Sequence, residues 1–269
     1  MSRNSASCLF CEPSFYDDVY DAICDRYSDK DYRSESQRLL QLVRRHKRSN
    51  GKDLLDVPCG TGQHLNYLKA WFDVEGLDIN RKMLTMARKR NVGVKFHCGN
   101  MLSFKLPKRF DVITCLFSAI GYMTTVEELR RAVLNMSLHL KSGGVLMVEP
   151  SIAPRDFKNR SLHAVLVNQP KLKLARIGRS SRQGRTAIIN FHYLKATPKT
   201  TRCFSETVRL GLFTHSEYLA SFRAADLRVA YYVKGLGGRG LYVGLKTRSN
   251  DLRDSAAAVI KSNFVLEET

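Results

Sequence analysis

Residues 54–62 place an acid, a tight turn and two glycines at one point of the chain. Leu54 and Leu55 belong to an apolar run that ends at Asp56, Val57-Pro58-Cys59-Gly60-Thr61-Gly62 follows, and a helical pattern begins near Gln63. That order is a strand–loop–helix grip for a nucleoside-like ligand. Gly60 and Gly62 let backbone approach a ligand where a Cβ would clash. The helix start behind them offers free N–H groups. A carboxylate at Asp56 can hold the ammonium of an amino-acid moiety. Asp78 closes the next apolar run, about 20 residues on, where nucleotide folds place an acid that accepts from ribose hydroxyls. Asn100 and Met101 follow the third run and suit an adenine, by a side-chain amide and an apolar thioether. Leu116 and Phe117 follow the fourth and can wall the base or a sulfonium. The spacing differs from the G-x-G-x-x-G of dinucleotide sites.

These residues need a scaffold that brings strand ends together, and the pattern supplies one. Strands are expected over 52–57, 72–77, 94–98, 110–115 and 145–148, and helices over 61–70, 80–89 and 125–140. Asn80 and Thr124 or Thr125 are the expected helix caps. Ser142-Gly143-Gly144 reads as a turn, and residues 16–48 read as helical. Strands alternating with helices, each strand near-continuously apolar, predict a parallel α/β sheet covered on both faces. Ligands of such sheets sit outside the carboxyl ends of the strands.

After Pro154 the period changes. Residues 163–167, 171–178, 186–196 and 202–213 alternate apolar and polar side chains, as half-exposed antiparallel strands do. A helix over 215–225 and strands over 228–233 and 240–245 then return. The expected organisation is a tail over 1–15, N-terminal helices and nucleotide-binding core over 16–154, an inserted antiparallel β lid over 155–210, a return to the core over 211–248 and a second tail over 249–269.

The formal net charge is +19. It concentrates in the insertion, where twelve Lys or Arg between Arg155 and Ser205 face Asp156 alone. Two readings stand side by side: a solvated face, or a field that draws an anionic substrate such as a nucleotide diphosphate or a nucleic acid. No apolar run approaches the roughly 18–20 residues of a membrane span, and the first residues lack a secretory pattern, so a cytoplasmic protein is expected. The seven cysteines (8, 11, 24, 59, 98, 115 and 203) lack a framework of spacings and read as free thiols. Cys8 and Cys11 have metal or redox spacing, but one pair supplies only half of a zinc site; no metal is expected.

The D-x-x-C-G-T-G spacing resembles the S-adenosylmethionine (SAM) loop of class I methyltransferases, whose Rossmann-like fold has seven strands. The resemblance narrows further through residues 54–65, 74–80, 110–122, 139–150 and 238–245, with Leu212-Phe213-Thr214 and Glu217-Tyr218. These stretches resemble the N,N-dimethyltransferases of nucleotide-linked amino deoxysugars. The resemblance implies SAM as cofactor, held by Tyr32, Asp56, Pro58, Cys59, Gly60, Gly62, Asp78, Ile79, Asn100, Met101 and Leu116. It implies a substrate loop of Phe117, Ser118 and Ala119, with Glu149 at the edge of the substrate site and Arg239 meeting the diphosphate. Tyr20 and Tyr122 are the implied catalytic tyrosines, orienting the amine. Asn100 stands where relatives carry an acid, Ala119 where they often carry serine, and Cys24 at a usual tyrosine position.

A neutral amine is already a good nucleophile, so in-line alignment is the main requirement. Alternatives are a methyltransferase for another small-molecule nitrogen or oxygen, an RNA or DNA methyltransferase using the basic lid, and a non-catalytic SAM-binding module. Nucleic acid is disfavoured because C-L-F-S stands after the fourth strand in place of a base-gripping N-P-P-Y, and the insertion has few aromatics for stacking. The partner expected is a small anionic substrate, with a homodimer possible.

Overall fold

The computed structural model describes residues 19–24 and 30–247. They fall into two compact units, one formed by 31–157 with 211–247, the other by 158–210 with the described residues up to Lys30.

The larger unit is built on a seven-stranded sheet. Its strands are β1 (Asp53–Asp56), β2 (Asp73–Asp78), β3 (Lys95–Cys98), β4 (Phe110–Cys115), β5 (Leu140–Val148), β10 (Leu227–Tyr232) and β11 (Leu241–Lys246). Their spatial order is β10-β11-β5-β4-β1-β2-β3. The first five pair in parallel, and β11 runs antiparallel to both its neighbours. Chain order reverses at β1, which lies between β2 and β4; this is the switch point where the loops on either side diverge and leave a ligand crevice.

Alternate residues of each strand feed two cores. Leu54, Val112, Val145, Met147 and Val243 pack with Leu39, Leu42 and Val43 of α2 (Tyr32–His46), Leu65 and Leu68 of α3 (Gln63–Leu68) and Leu84 of α4 (Arg81–Arg90). Leu55, Ile113, Leu146, Val148 and Tyr242 pack on the other face with Leu129, Ala132, Val133 and Met136 of α5 (Val126–Leu138) and Tyr218 and Phe222 of α6 (His215–Ala224). This two-sided burial accounts for the near-continuous apolar strands.

Several boundaries differ from the sequence reading. Residues 19–24 are helical (α1), but the helix does not run unbroken to 48: Asp31 is non-helical and caps α2, its Oδ1 accepting from Ser34 N at 3.0 Å. β5 begins at Leu140, five residues before the expected strand at Val145. Phe110 pairs with Leu140 and Val112 with Val145, so Ser142-Gly143-Gly144 is a bulge inside the strand rather than a turn before it. The Gly143 carbonyl accepts from Arg48 N and Ser49 N, which fastens the bulge to the end of α2. The expected caps are present: Asn80 caps α4, and Thr125 forms a reciprocal capping box with Glu128 at α5.

The smaller unit holds the inserted antiparallel sheet: β6 (Leu162–Gln169), β7 (Leu172–Gln183), β8 (Thr186–Ala196) and β9 (Thr201–Gly211), in that spatial order. Val165, Val167, Leu174 and Tyr193 are buried on one face. The register places Leu166 opposite Ala175, Ala164 opposite Ile177 and Ala175 opposite Leu194 on the other. There Leu162 is 72% and Leu166 70% exposed. No helix among the described residues is long and apolar enough to cross a membrane.

Candidate functional site

The loop after β1 threads between its two neighbours. Val57 N donates to Thr114 O of β4 at 2.8 Å, and Cys59 N to Leu77 O of β2 at 2.9 Å. Pro58 follows a cis peptide bond. Gly60 and Gly62 both adopt left-handed conformations, φ 52° and 73°. A Cβ on Gly60 would meet no protein atom within 4 Å, whereas one on Gly62 would lie 2.6 Å from Asn91 Nδ2. That side chain, buried at the end of α4, donates to Gly62 O at 3.0 Å, and Arg90 donates to Thr61 O. The loop is therefore open on one side and clamped by α4 on the other. Gly62 also fixes the start of α3: the left-handed residue cannot be part of it, so the helix begins at Gln63 rather than 61, and it ends at Leu68 rather than 70.

Buried carboxylates surround this loop. Asp56 is 2% exposed; its Oδ1 accepts from Thr114 Oγ1 at 2.7 Å. Burial pushes its pKa up to about 6, partly offset by His64 and the Thr114 bond, while Asp78 adds to the rise. Asp78 Oδ2 accepts from Gly60 N at 2.9 Å and Oδ1 from Asn80 N at 2.8 Å. Burial raises its pKa too, against the pull of these backbone donors. The carboxylate that the sequence offers to ribose hydroxyls is thus already engaged by backbone N–H groups of its own loop, through both oxygens. The thiols of Cys59 and Cys115 lie beside these acids and are pushed upward by burial and by the nearby carboxylates, so both are neutral.

Two residues that sequence reasoning missed complete this end of the sheet. His64 Nε2 lies 2.7 Å from Glu35 Oε2, with both side chains only 8% exposed. The Tyr32 ring meets His64 edge-on at 4.9 Å between centroids. Tyr32 and Glu35 share one face of the first turn of α2, and His64 occupies the first turn of α3. The available signal was His64 directly behind C-G-T-G-Q; nothing in the sequence marked Glu35 as its partner.

Further along the strand ends, Met101 and Leu116 are buried, Ile79 is exposed, and exposed Asn100 accepts from Leu102 N at 2.9 Å through Oδ1. Phe117 and Ser118 then adopt left-handed conformations, φ 54° and 57°. Non-glycine residues there cost roughly 1–3 kcal/mol each and persist only where surroundings over-determine them. The surroundings are on hand. Buried Glu149 Oε2 accepts from Phe117 N at 2.6 Å, and Ser118 Oγ donates to Pro150 O at 2.7 Å. Arg239 Nη1 donates to Ser118 Oγ at 3.0 Å, and the guanidinium lies 5.7 Å from the centre of the Phe117 ring. Ala119 starts a single 3-10 turn that ends at Tyr122, which is 44% exposed. Residues 56–62, 78–79, 100–101, 116–122 and Glu149 thus follow the carboxyl ends of β1, β2, β3, β4 and β5 in turn, Tyr32 opens α2, and Arg239 lies between β10 and β11. Tyr20 lies on α1, in the other unit, and Cys8 and Cys11 lie outside the described residues.

The opposite ends of the strands are different. There Lys108 bridges Asp53 and Glu75, Lys141 bridges Asp53 and Asp111, and His97 bonds Glu75 at 2.6 Å. The lysines hold Asp53 and Asp111 below the usual carboxylate range, and His97 and Lys108 do the same for Glu75. That network holds two lysines against its three carboxylates; the one around Asp56 and Asp78 has no lysine or arginine among its buried members.

Comparison with known proteins follows the same outline. Residues 54–144 match the family described as "Methyltransferase domain". The chain is 40% identical, over 80% of its length and 92% of the relative's, to a dTDP-3-amino-3,4,6-trideoxy-alpha-D-glucopyranose N,N-dimethyltransferase from Streptomyces venezuelae. It is 37% identical, over 85% of its length and 92% of the relative's, to a dTDP-4-amino-2,3,4,6-tetradeoxy-D-glucose N,N-dimethyltransferase from Saccharopolyspora spinosa. Among solved structures it is similar to SAM-bound CalS10, an amino pentose methyltransferase from Micromonospora echinaspora, with a TM-score of 0.77, 39% identity and coverage of 88% of this chain and 100% of that one.

Proposed function

We propose that this chain, which belongs to the N,N-dimethyltransferases of nucleotide-linked amino sugars, transfers methyl groups from SAM to the sugar amine of a dTDP-linked amino deoxysugar. The observation that carries the substrate assignment is the meeting of Arg239 with the strained Phe117–Ser118 loop. It sets a permanent cation beside the segment that the family resemblance marks as the acceptor loop. Thermal shift tests the assignment: SAM and a dTDP-amino sugar are expected to raise the melting temperature, and single-stranded RNA is not. Stabilisation by RNA alone would move the reading to nucleic acid.

The residues fit the cofactor. A buried carboxylate whose pKa is raised by desolvation regains stability from a ligand cation, and Asp56 is such a group beside a loop with open space over Gly60. When bound, SAM supplies an electrophilic methyl on a sulfonium. In this reading Asp56 takes the ammonium, while Pro58, Cys59, Gly60 and Gly62 shape the backbone around the amino-acid moiety. Asp78 uses its remaining lone pairs for the ribose, and Ile79, Asn100, Met101 and Leu116 enclose the adenine. Tyr32 closes over the moiety from α2. Phe117, Ser118 and Ala119 form the acceptor wall, and Glu149 holds that wall through Phe117 N.

Tyr122, with Tyr20 as the second candidate, orients the amine so that its lone pair lies in line with the sulfur–methyl bond. The proton leaves afterwards to solvent or a nearby oxygen. Alignment is worth far more here than acid–base help, because the nucleophile is neutral. Tyr122→Phe is therefore expected to lower kcat about tenfold with little change in KM for SAM, measured by steady-state turnover. Unchanged turnover would reduce Tyr122 to a packing role.

The basic β6–β9 sheet is read as the field that attracts the anionic substrate. Its exposed apolar face (Leu162, Leu166, Ile177 and Leu194) supports a homodimer, because monomers rarely expose contiguous patches of this kind and charged residues such as Lys173 and Arg179 rim it. Light scattering is expected to give a dimer for the native chain and a monomer for Leu166→Glu/Ile177→Glu. A monomeric native chain would reject it. Free, buried thiols at Cys59 and Cys115 accord with a reducing, cytoplasmic setting.

A further inference from the structure

The loop between β10 and β11 carries Gly235, Gly237, Gly238 and Gly240 around Leu236 and Arg239. Backbone conformation accounts for three of these glycines. Gly235, Gly238 and Gly240 are left-handed, with φ 52°, 79° and 85°, where side-chain-bearing residues are uncommon. Gly237 lies outside that region. Packing does not exclude a side chain there either. A Cβ on Gly237 would meet only Glu35 Oε1 at 3.9 Å and Glu149 Oε1 at 4.0 Å, both ordinary contact distances. Neither strain nor a clash calls for glycine at 237, so what the residue supplies is space.

Beneath that space lies an acceptor. Buried Glu149 divides its carboxylate: Oε2 accepts from Phe117 N at 2.6 Å, while Oε1 takes no hydrogen bond among the described residues. The contacts around it run in a ring. Phe117 leads to Ser118, whose Oγ accepts from Arg239, and Arg239 stands two residues from Gly237, which returns over Glu149 Oε1. Gly237 itself is exposed. A carboxylate oxygen with unspent lone pairs behind an exposed glycine suits an N–H or O–H donor of a ligand, and a side chain at 237 would occupy the approach.

We propose that Gly237 and Glu149 together form a specificity-determining site for the acceptor sugar. Glu149 Oε1 accepts from the sugar amine or from a hydroxyl beside it, and Gly237 leaves room for that group to arrive. The inference rests on the amino-sugar reading above. With Arg239 on the diphosphate, one short loop then meets both the charged and the reacting part of the substrate.

Steady-state kinetics with the full-length chain, SAM and a dTDP-3-amino deoxysugar test this. Gly237→Ala adds one methyl group to the space and is expected to lower kcat/KM for the sugar about tenfold, the scale of a one-carbon misfit in a pocket. Glu149→Gln keeps an oxygen for Phe117 N, replaces the second acceptor with an N–H donor, and is expected to cost about tenfold as well. SAM affinity by calorimetry is expected to stay within about twofold of native in both, since the contact is made to the sugar alone. The melting temperature of Gly237→Ala is expected not to fall, because its backbone accommodates alanine. Both substitutions break one contact, so the double variant is expected to lie within about threefold of the weaker single one. Losses that multiply to about a hundredfold mark two independent sites and overturn the proposal. Native kinetics in Gly237→Ala overturn it too, as does loss of SAM affinity or of melting temperature in parallel with turnover, which marks a structural role. Glu149→Gln tested on sugars with and without a hydroxyl next to the amine identifies the donor. Equal losses on the two assign the amine; a loss confined to the hydroxyl-bearing sugar assigns the hydroxyl. A native chain that methylates no amino sugar overturns the substrate reading instead, which keeps the two failures apart.

Discussion

Replacing Asp56 with Asn weakens SAM binding by about a hundredfold and does not lower the melting temperature of the free protein. Truncating one partner of a buried, hydrogen-bonded charge pair costs roughly 2–5 kcal/mol, which is the source of the expected loss. The second half of the result comes from the burial of Asp56. Its carboxyl titrates near 6 in the folded chain, above its ordinary value, so the charged form is disfavoured by folding. A group with a raised carboxyl pKa carries no penalty below its unfolded pKa and its full penalty above the folded one. At pH 7.5 the native chain therefore bears that cost and Asp56→Asn does not. The Asn side chain still accepts from Thr114 Oγ1 and so keeps the bond now made at 2.7 Å. Thermal melts and calorimetry on the same preparation separate lost ligand from lost fold. A variant that melts well below the native chain, or that binds SAM normally, contradicts the role given to Asp56. Functional sites commonly trade stability for ligand binding in this way.

Arg239→Ala raises KM for the dTDP-amino sugar by about thirtyfold or more and leaves kcat within about threefold. A guanidinium paired with a diphosphate makes charge-assisted, frequently bidentate bonds, present equally in ground and transition state, so its loss appears in KM. Arg239 also donates to Ser118 Oγ and stacks near Phe117, which raises the competing possibility of a purely local brace. Ser118→Ala distinguishes the two: it removes the brace, keeps the guanidinium, and is expected to change KM by less than about threefold. Equal effects of both substitutions would make the brace the main function of Arg239. Arg239→Lys is expected to recover only part of the affinity, since an ammonium cannot form the planar fork.

The strand ends were the most legible part of this chain. Asp56 and Asp78 each terminate an apolar run, and the pleat and the parallel order carry such residues to one edge of the sheet without further information. Asn80 and Thr125 were legible as caps because capping is local. What stayed hidden is tertiary. The Glu35–His64 pair joins residues from two helices, and neither residue has a local pattern that names its partner. The β5 bulge was hidden because Ser142-Gly143-Gly144 has turn composition, while the carbonyl of Gly143 is taken up by backbone near the end of α2. Arg239 could be placed beside Ser118 only through family resemblance, since the two lie on loops distant in the chain. Asn100 kept its strand-end position, and its carbonyl oxygen accepts locally from Leu102 N.

The most direct measurement is methyl transfer itself. The native chain is incubated with SAM carrying a labelled methyl and a dTDP-linked 3-amino or 4-amino deoxysugar, and the nucleotide sugar is recovered for mass spectrometry. One or two labelled methyl groups on the sugar nitrogen, with none on the matching sugar that carries a hydroxyl in place of the amine, is the expected result. Formation of S-adenosylhomocysteine without label on any amino sugar, or label on the hydroxyl compound instead, would contradict the account.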